Sequence, residues 1–305
     1  MLDGLTLDQM RAFVAVAESG SFRAGAVRLS RVQSAVSHAI NNLEAQLAVS
    51  LFDRSGHRPS LTPEGQALLA DARAILAKVD RMRARARGLG EGVELGLSIV
   101  VDVLFPVATL ARTLTLMRES YPSVAVRMEV AALGGPLAAL RAGRCKLGIM
   151  VGEEFRDQRI EMEALSSVSL VAVAASAHPL AARSRSGEPI GTLELADHLQ
   201  IVLEDPTPLT EGRDFGVLSP GTWRVGTQDA KCALILGGLG WGRLPSWAVE
   251  RDLADGSLVR LGATALGRQG ETALAVYLAH RTDEPLGPAA RILRQALFQC
   301  AELSA

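Results

Sequence analysis

The chain has 305 residues, 48% hydrophobic and 21% charged, with a formal net charge of -1. That length suggests roughly two domains, and that apolar content excludes wholesale disorder. The near-neutral total excludes a globally basic protein, but residues 1–90 hold 12 Lys and Arg against 8 Asp and Glu, while residues 91–305 hold 20 against 25. A basic first third on an acidic remainder suits a polyanion-binding head joined to a sensory or catalytic body; chance asymmetry in an ordinary enzyme gives the same counts. Cys145, Cys232 and Cys300 lie far apart and form neither a CxxC pair nor a disulfide framework. With no basic-then-apolar leader and no uncharged apolar run of about 18 residues, the expectation is a cytoplasmic protein without a membrane span.

Three short helices are predicted before residue 48. The first follows Thr6, a plausible N-cap, and runs LDQMRAFVAVAES, with Leu7, Met10, Phe13, Val14 and Ala17 on one apolar face. Gly20 stops it, and Ser21 caps the second, FRAGAVRLS. The third, from Val32 to Leu47, turns Val36, Ile40, Leu43 and Leu47 inward. Its opposite face shows Arg31, Gln33, Ser34, Ser37, His38 and Asn41, hydrogen-bonding groups of the kind a major-groove reader needs. A merely solvated face has the same composition. The next segment, LFDRSGHRPSLT, has two short apolar ends around a Ser55-Gly56 turn and carries Arg54, His57 and Arg58. It reads as a basic two-stranded hairpin beside the exposed helix, able to hold a phosphate backbone.

In this order, residues 7–65 resemble the DNA-binding domain of LysR-type transcriptional regulators. The SGSF turn, QSAVS opening the third helix, LE within it, LFDR and LTPEG carry the resemblance. Gly25 departs from it, since the family usually has a second alanine there; glycine costs about 1 kcal/mol in a helix interior. The resemblance implies that the third helix is the recognition helix, with Gln33, Ser34 and Ser37 toward double-stranded DNA. Val32 and Ala35 are candidates for apolar contact with thymine methyl groups. Arg54 and Arg58 are the implied wing contacts, and helix geometry adds Arg31 and His38.

A long helix follows, with Thr62 as N-cap, Pro63 at the first position and Glu64 in the first turn. Leu68, Leu69, Ala72, Ile75, Leu76, Val79, Met82 and Ala86 form a stripe at three/four spacing. The helix ends at Gly88, Gly90 and Gly92. Such a stripe can pack on its own domain; an antiparallel pairing of two copies is the better reading. The resemblance agrees and implies a homodimer through this helix, an interrupted palindromic operator, a homotetramer, and RNA polymerase as a further partner. Arg81, Arg83, Arg85 and Arg87 flank the stripe as a solvated face.

From about residue 91 the pattern changes to alternating strands and helices: VELGLSIVV, FPVATLARTLTLMRESYP, VAVRMEV, PLAALRAG and KLGIMV give a βαβαβ order with a parallel sheet. A second set contains SLVAVAAS, a loop at His178-Pro179-Leu180, a helix at 193–197, QIVLE, TWRVG, the helix AKCALILGG, and WGRLP. ALAVYLAHR and LGPAARILRQALFQCA supply a last strand and helix. YPSVAV, HPLA and GGLGWGRLPSWAVERDLADGSLVRL resemble the LysR-type effector domain, more loosely than the head. Lys146 departs, standing where the family often has an acid.

The predicted fold is therefore α+β and multidomain: a winged helix-turn-helix (1–62), a linker helix (63–90) and a two-lobed α/β, periplasmic-binding-protein-like effector domain (91–305). Lobe I takes about 91–167 and 271–305 and lobe II about 168–270, with hinges near Ser167 and Gly270.

Open α/β sheets bind ligands beyond the carboxyl ends of their strands. That rule nominates Val101, Asp102, Val103, Leu133, Gly134, Gly152 and Glu153 from lobe I, and Glu204, Asp205, Thr227, Gln228 and Asp229 from lobe II. The resemblance places the family's effector pocket there and implies a small-molecule effector that alters the angle of the lobes and, through paired dimers, the DNA bend. Five acids at this rim, Asp102, Glu153, Glu204, Asp205 and Asp229, leave two readings open. Either the effector is cationic or zwitterionic, or these acids cap helices and face solvent.

No GxSxG elbow, HExxH or Walker loop is present, and the five histidines do not cluster with cysteines at metal-ligand spacing. No enzyme activity, cofactor or metal is expected. The rival readings are a small-molecule-binding protein or an enzyme with an incidental helical N-terminal domain; both leave the head unexplained.

Overall fold

The computed structural model describes residues 4–56, 59–90, 92–152 and 154–302. The chain divides into two units, Met1–Arg87 and Gly88–Ala305.

In the first unit, α1 (Leu7–Ser19) opens with a capping box. The Gln9 N–H donates to Thr6 Oγ1 (3.3 Å), and the Thr6 N–H donates to Gln9 Oε1 (2.7 Å). Helix α2 (Phe22–Arg28) starts at Ser21, whose hydroxyl accepts from the Ala24 N–H. Helix α3 (Gln33–Leu47) follows Val32 without a side-chain cap. Strands β1 (Phe52–Asp53) and β2 (Ser60–Leu61) pair antiparallel, Phe52 opposite Leu61, and form the hairpin. Thr62 starts α4 (Pro63–Gly90): its hydroxyl accepts from the Gly65 N–H (2.9 Å) and donates to the Ser50 carbonyl (2.6 Å).

The core of this unit gathers Phe13, Val16, Val36, Ile40, Leu43, Leu51 and Phe52. The Phe52 ring meets Phe13 edge-on at 5.7 Å and Phe22 at 5.5 Å. The buried face of α1 is Gln9, Ala12, Phe13, Ala15 and Val16, not the predicted Leu7, Met10, Val14 and Ala17, which are half-buried. Both α2 and α3 pack on α1, so most of its circumference is covered and its small residues sit where the helices come closest.

The second unit carries a mixed sheet. Its elements in chain order are β3 (Gly96–Asp102), α5 (Val107–Ser120), β4 (Ala125–Ala131), α6 (Gly135–Arg141), β5 (Leu147–Val151), β6 (Ile160–Ala175), α7 (Pro179–Arg185), α8 (Thr192–Ala196), β7 (Gln200–Leu203), β8 (Thr222–Val225), α9 (Gln228–Leu236), β9 (Trp241–Pro245), α10 (Ser246–Ala254), β10 (Leu258–Arg260), β11 (Glu271–Arg281) and α11 (Pro288–Glu302). The strand order is β4-β3-β5-β11-β6-β9-β7-β8, with β10 paired to β6. Strands β3, β4 and β5 are parallel, as the βαβαβ pattern predicts.

The two lobes share β6 and β11, which pair antiparallel from Glu271 opposite Val171 to Arg281 opposite Ile160. Ser167 pairs with Ala275 inside this continuous ribbon, and the register shifts once, between Val276 and Tyr277. On one side β11 joins β5 through residues 276–280; on the other β6 joins β9 through residues 170–174. Separate cores lie in each lobe: Leu97, Ile99, Leu110, Leu147 and Leu293 in the first, and Val171, Ile201, Ile235, Leu244 and Val249 in the second.

Two glycines mark close approaches in the first unit. A methyl group on Gly25 would stand 2.7 Å from Val16 Cγ2 and 3.1 Å from the Val16 backbone, so the glycine lets α2 sit against α1. On Gly65 it would stand 2.1 Å from the Leu51 carbonyl oxygen, which cannot yield as a side chain can. Gly65→Ala is expected to destabilise this unit by about 1–3 kcal/mol or more through overpacking, despite the roughly 1 kcal/mol that alanine gains in a helix. Gly90→Ala meets nothing within 4 Å and is the control. Calorimetric unfolding of both variants checks this, and an unchanged midpoint for Gly65→Ala would contradict it.

Candidate functional site

Helix α3 places Gln33, Ser34, Ala35, His38, Asn41 and Asn42 in solvent, with Ser37 half-buried, while Val36, Ile40 and Leu43 anchor the opposite face. Val32, just before the helix, is 68% exposed. This polar, unobstructed helix start with a bare apolar residue is a surface for a base-edge groove.

Three of the expected cationic or imidazole contacts are already engaged. The Arg31 guanidinium pairs with Asp8, tying the α2–α3 turn to α1. Arg54 donates to Asn41 Oδ1 (2.7 Å) and Glu44 Oε2 (2.9 Å), and stacks over the Phe22 ring at 4.8 Å. The other Glu44 oxygen accepts from the Leu51 and Phe52 N–H groups (2.7 and 3.2 Å). Arg54 therefore staples the hairpin to α3 while its side chain stays 42% exposed. His38 Nε2 lies 3.1 Å from Asn42 Nδ2. Arg58 and His57, at the hairpin tip, lie outside the described residues.

In the second unit, both lobes line a cavity of about 320 Å³. Of the predicted rim, Asp102, Val103, Leu133, Gly152 and Asp205 reach it. The other described ones do not. Val101 is wholly buried in the lobe I core. The Gly134 N–H donates to Asp205 Oδ2 (3.1 Å), joining the lobes. Glu204 and Asp229 are exposed away from the cavity, and the Thr227 hydroxyl caps α9 by accepting from the Ala230 N–H. Gln228 is outside the lining, yet both polar atoms of its side chain are buried without a hydrogen bond. Glu153 lies outside the described residues.

Two acids of the cavity lining are already engaged. Asp205 spends its oxygens on Gly134 and on the N–H and hydroxyl of Thr207 (2.8 Å each). Asp214 pairs with Arg224 at 3.0 Å. Asp102, on lobe I, is buried and accepts from the Leu104 N–H (2.9 Å). Burial pushes its carboxyl up to about 7, against the smaller effect of that hydrogen bond.

The opposite wall is cationic. Lys231 on α9 is 7% exposed and makes no side-chain hydrogen bond or ion pair among the described residues. Burial, and then the nearby Arg243 charge, bring its ammonium down to about 7. Arg243 on β9 has Nε and Nη2 buried without partners, and burial lowers its pKa too. Sequence reading missed both. The available signal was one charge inside each apolar run, AKCALILGG and WGRLP. It also missed Phe155 and Phe215, which line the cavity with their ring centroids 5.7 Å apart. Gln200, likewise missed, holds the 216–219 loop: its amide donates to the Gly216 carbonyl and accepts from the Leu218 and Ser219 N–H groups.

Among the described residues, no helix is long and apolar enough to cross a membrane, and no group of three His, Cys, Asp or Glu is placed to hold a metal.

The family model described as the bacterial regulatory helix-turn-helix protein, lysR family, matches residues 7–66, and the LysR substrate binding domain matches residues 91–300. The HTH-type transcriptional regulator AceR of Acinetobacter baumannii is 32% identical over 240 residues, 78% of each chain. The probable HTH-type transcriptional regulator YhaJ of Escherichia coli is 32% identical over 262 residues, 83% of this chain and 85% of its own. A hydrogen peroxide-bound OxyR variant of Corynebacterium glutamicum shares the fold, with a TM-score of 0.51 at 23% identity over 98% of this chain and 96% of its own. The exposed α3 face, the hairpin beside it and the two-lobed body thus have a common explanation: the chain belongs to the LysR family of DNA-binding transcriptional regulators.

Proposed function

We propose that this regulator reads an interrupted palindromic operator with α3 of two copies and is controlled by a small molecule held between its lobes. The observation that carries the effector half is the cavity itself: about 320 Å³, lined from both lobes, with buried polar groups that no protein group satisfies. A ligand bridging the two walls alters the angle between lobes, and paired copies transmit that angle to the DNA. A homotetramer and a contact with RNA polymerase belong to the same reading.

The DNA half rests on α3. Gln33, Ser34 and Ser37 supply hydrogen-bonding groups toward base edges, and Val32 and Ala35 supply apolar contact with thymine methyls. Arg58 is the proposed phosphate contact at the hairpin tip. Pairing rests on α4, where Ile75 and Met82, seven residues apart, are 39% and 65% exposed.

At Cys145 and Cys232 burial pushes the thiols up, away from the thiolate form that oxidants attack.

Footprinting on the chain's own promoter region, at low salt, tests the reading; failure to protect any fragment, with and without candidate effectors, overturns it. Gln33→Ala is expected to relax base preference, at a cost of about 1–3 kcal/mol on the cognate site. Arg54→Ala is expected to lower the unfolding midpoint of the first unit while leaving the salt slope of DNA binding unchanged. A lost phosphate contact would instead reduce that slope by about one. The double variant Ile75→Glu, Met82→Glu is expected to dissociate the dimer in sedimentation measurements and to weaken operator binding while each unit stays folded.

A further inference from the structure

The geometry points to Glu18 as a positioning residue that fixes the direction in which α4 leaves the first unit's core, and with it the spacing between the two operator half-sites this regulator accepts. This rests on the reading that two copies pair through α4 on a palindrome. It adds what sets the distance between their recognition helices.

Glu18 stands in the last turn of α1, where the helix dipole disfavours an acid and no basic residue of that turn offsets it. No local need accounts for it. Its carboxylate instead gathers two guanidiniums from two other helices. Arg73 of α4 directs Nε and Nη2 onto Oε1, at 3.2 and 3.0 Å, and Arg28 at the end of α2 meets Oε2 at 2.7 Å. The Arg73 hydrogen bond, against a smaller cost of burial and with help from Arg28, holds the carboxyl below the usual carboxylate range. Both cations are thereby spent on Glu18.

The clamp sits where α4 leaves the core. Leu69 and Ala72 are buried in that core and Leu68 packs against it. Arg73 is the next residue. From there α4 runs on for about 14 residues to Arg87, the end of this unit, which at 1.5 Å each is about 21 Å. Over that length a deflection of about 10° at Arg73 moves the far end by about 3.6 Å. One base-pair step is about 3.4 Å. A small change of direction therefore shifts the half-site spacing by a whole step. Two guanidinium nitrogens on one oxygen hold orientation as well as distance. The same frame carries α3, since Arg28 lies in α2 and Arg31, at the α2–α3 turn, pairs with Asp8 of α1. One carboxylate thus ties the helix that pairs two copies to the helices that hold the reading surface. Arg28 and Arg73 are 58% and 53% exposed, and exposed ion pairs contribute little to stability. Direction rather than stability is what this one controls.

The test enriches a pool of random duplexes on the full chain, on Glu18→Ala and on Arg73→Ala, and reads both the half-site bases and the distance between half-sites. The wild type is expected to select one spacing. Both variants are expected to keep the same half-site bases while tolerating a spacer one base pair longer or shorter. Their preference for the wild-type spacing is expected to fall about threefold to fivefold, the most that release of an exposed ion pair yields. The unfolding midpoint of the first unit is expected to stay close to that of the wild type. Unchanged spacing in both variants, or binding weakened equally at every spacing, overturns the clamp and leaves the palindrome reading standing. A wild type that selects no paired half-sites overturns both. Should one variant fail to fold, the other decides alone.

Discussion

A charge taken out of water requires an opposite charge or a set of hydrogen bonds at close range. This chain meets that requirement in one unit and leaves it open in the other. In the head, Glu44 is shielded between Arg54 and the Leu51 and Phe52 N–H groups, so one carboxylate fixes the hairpin against α3. In the body, Lys231 is buried and Arg243 is half-buried with Nε and Nη2 out of solvent, and neither of these groups has anything comparable among the described residues. The closed network builds a rigid reading surface. The open one leaves two cations whose desolvation nothing among the described residues offsets.

The β6–β11 ribbon is what makes such a site useful. Because both strands run through both lobes, the lobes cannot separate, yet the crossing is narrow and its register shifts at Val276/Tyr277. Other links across the cleft are mixed in kind: Asp205 with Gly134, Trp247 Nε1 donating to the Leu104 carbonyl (2.9 Å), Phe155 against Phe215, and Leu209 packed on the lobe I cluster that holds Leu137 and Phe155. A small set of such contacts, unlike one continuous core, can be exchanged for others, which is the requirement that the proposed control through the lobe angle places on the fold.

Most of the elements were readable from the sequence because their signals are local. The Thr6 and Gln9 capping box, the Gly20 stop and the Thr62-Pro63 start of α4 are each decided within four residues. The first half of β6 was not read as strand. Residues 160–168 carry Glu161, Glu163 and two serines, and only pairing with β11 makes them a strand. Helix α7, expected as a loop at His178-Pro179-Leu180, is a seven-residue helix that His178 caps, its Nδ1 accepting from the Leu180 N–H. Likewise α10 and β10 were passed over as family signature rather than read for periodicity.

The cavity's lining is only partly legible, for a different reason. The strand-end rule correctly finds where a cleft lies, but it counts every residue near a strand terminus as free to meet a ligand. Asp205 and Thr227 sit there because turns and helix starts need acceptors, and their oxygens are consumed within a few residues or by the facing lobe. Lys231 and Arg243 lie one turn into a helix and in mid-strand, where no local structure needs a charge. A polar residue without a local use is therefore the better guide to a ligand. By that criterion the sequence contains the cavity's chemistry after all, written as one cation in each of two apolar runs rather than as acids at the rim.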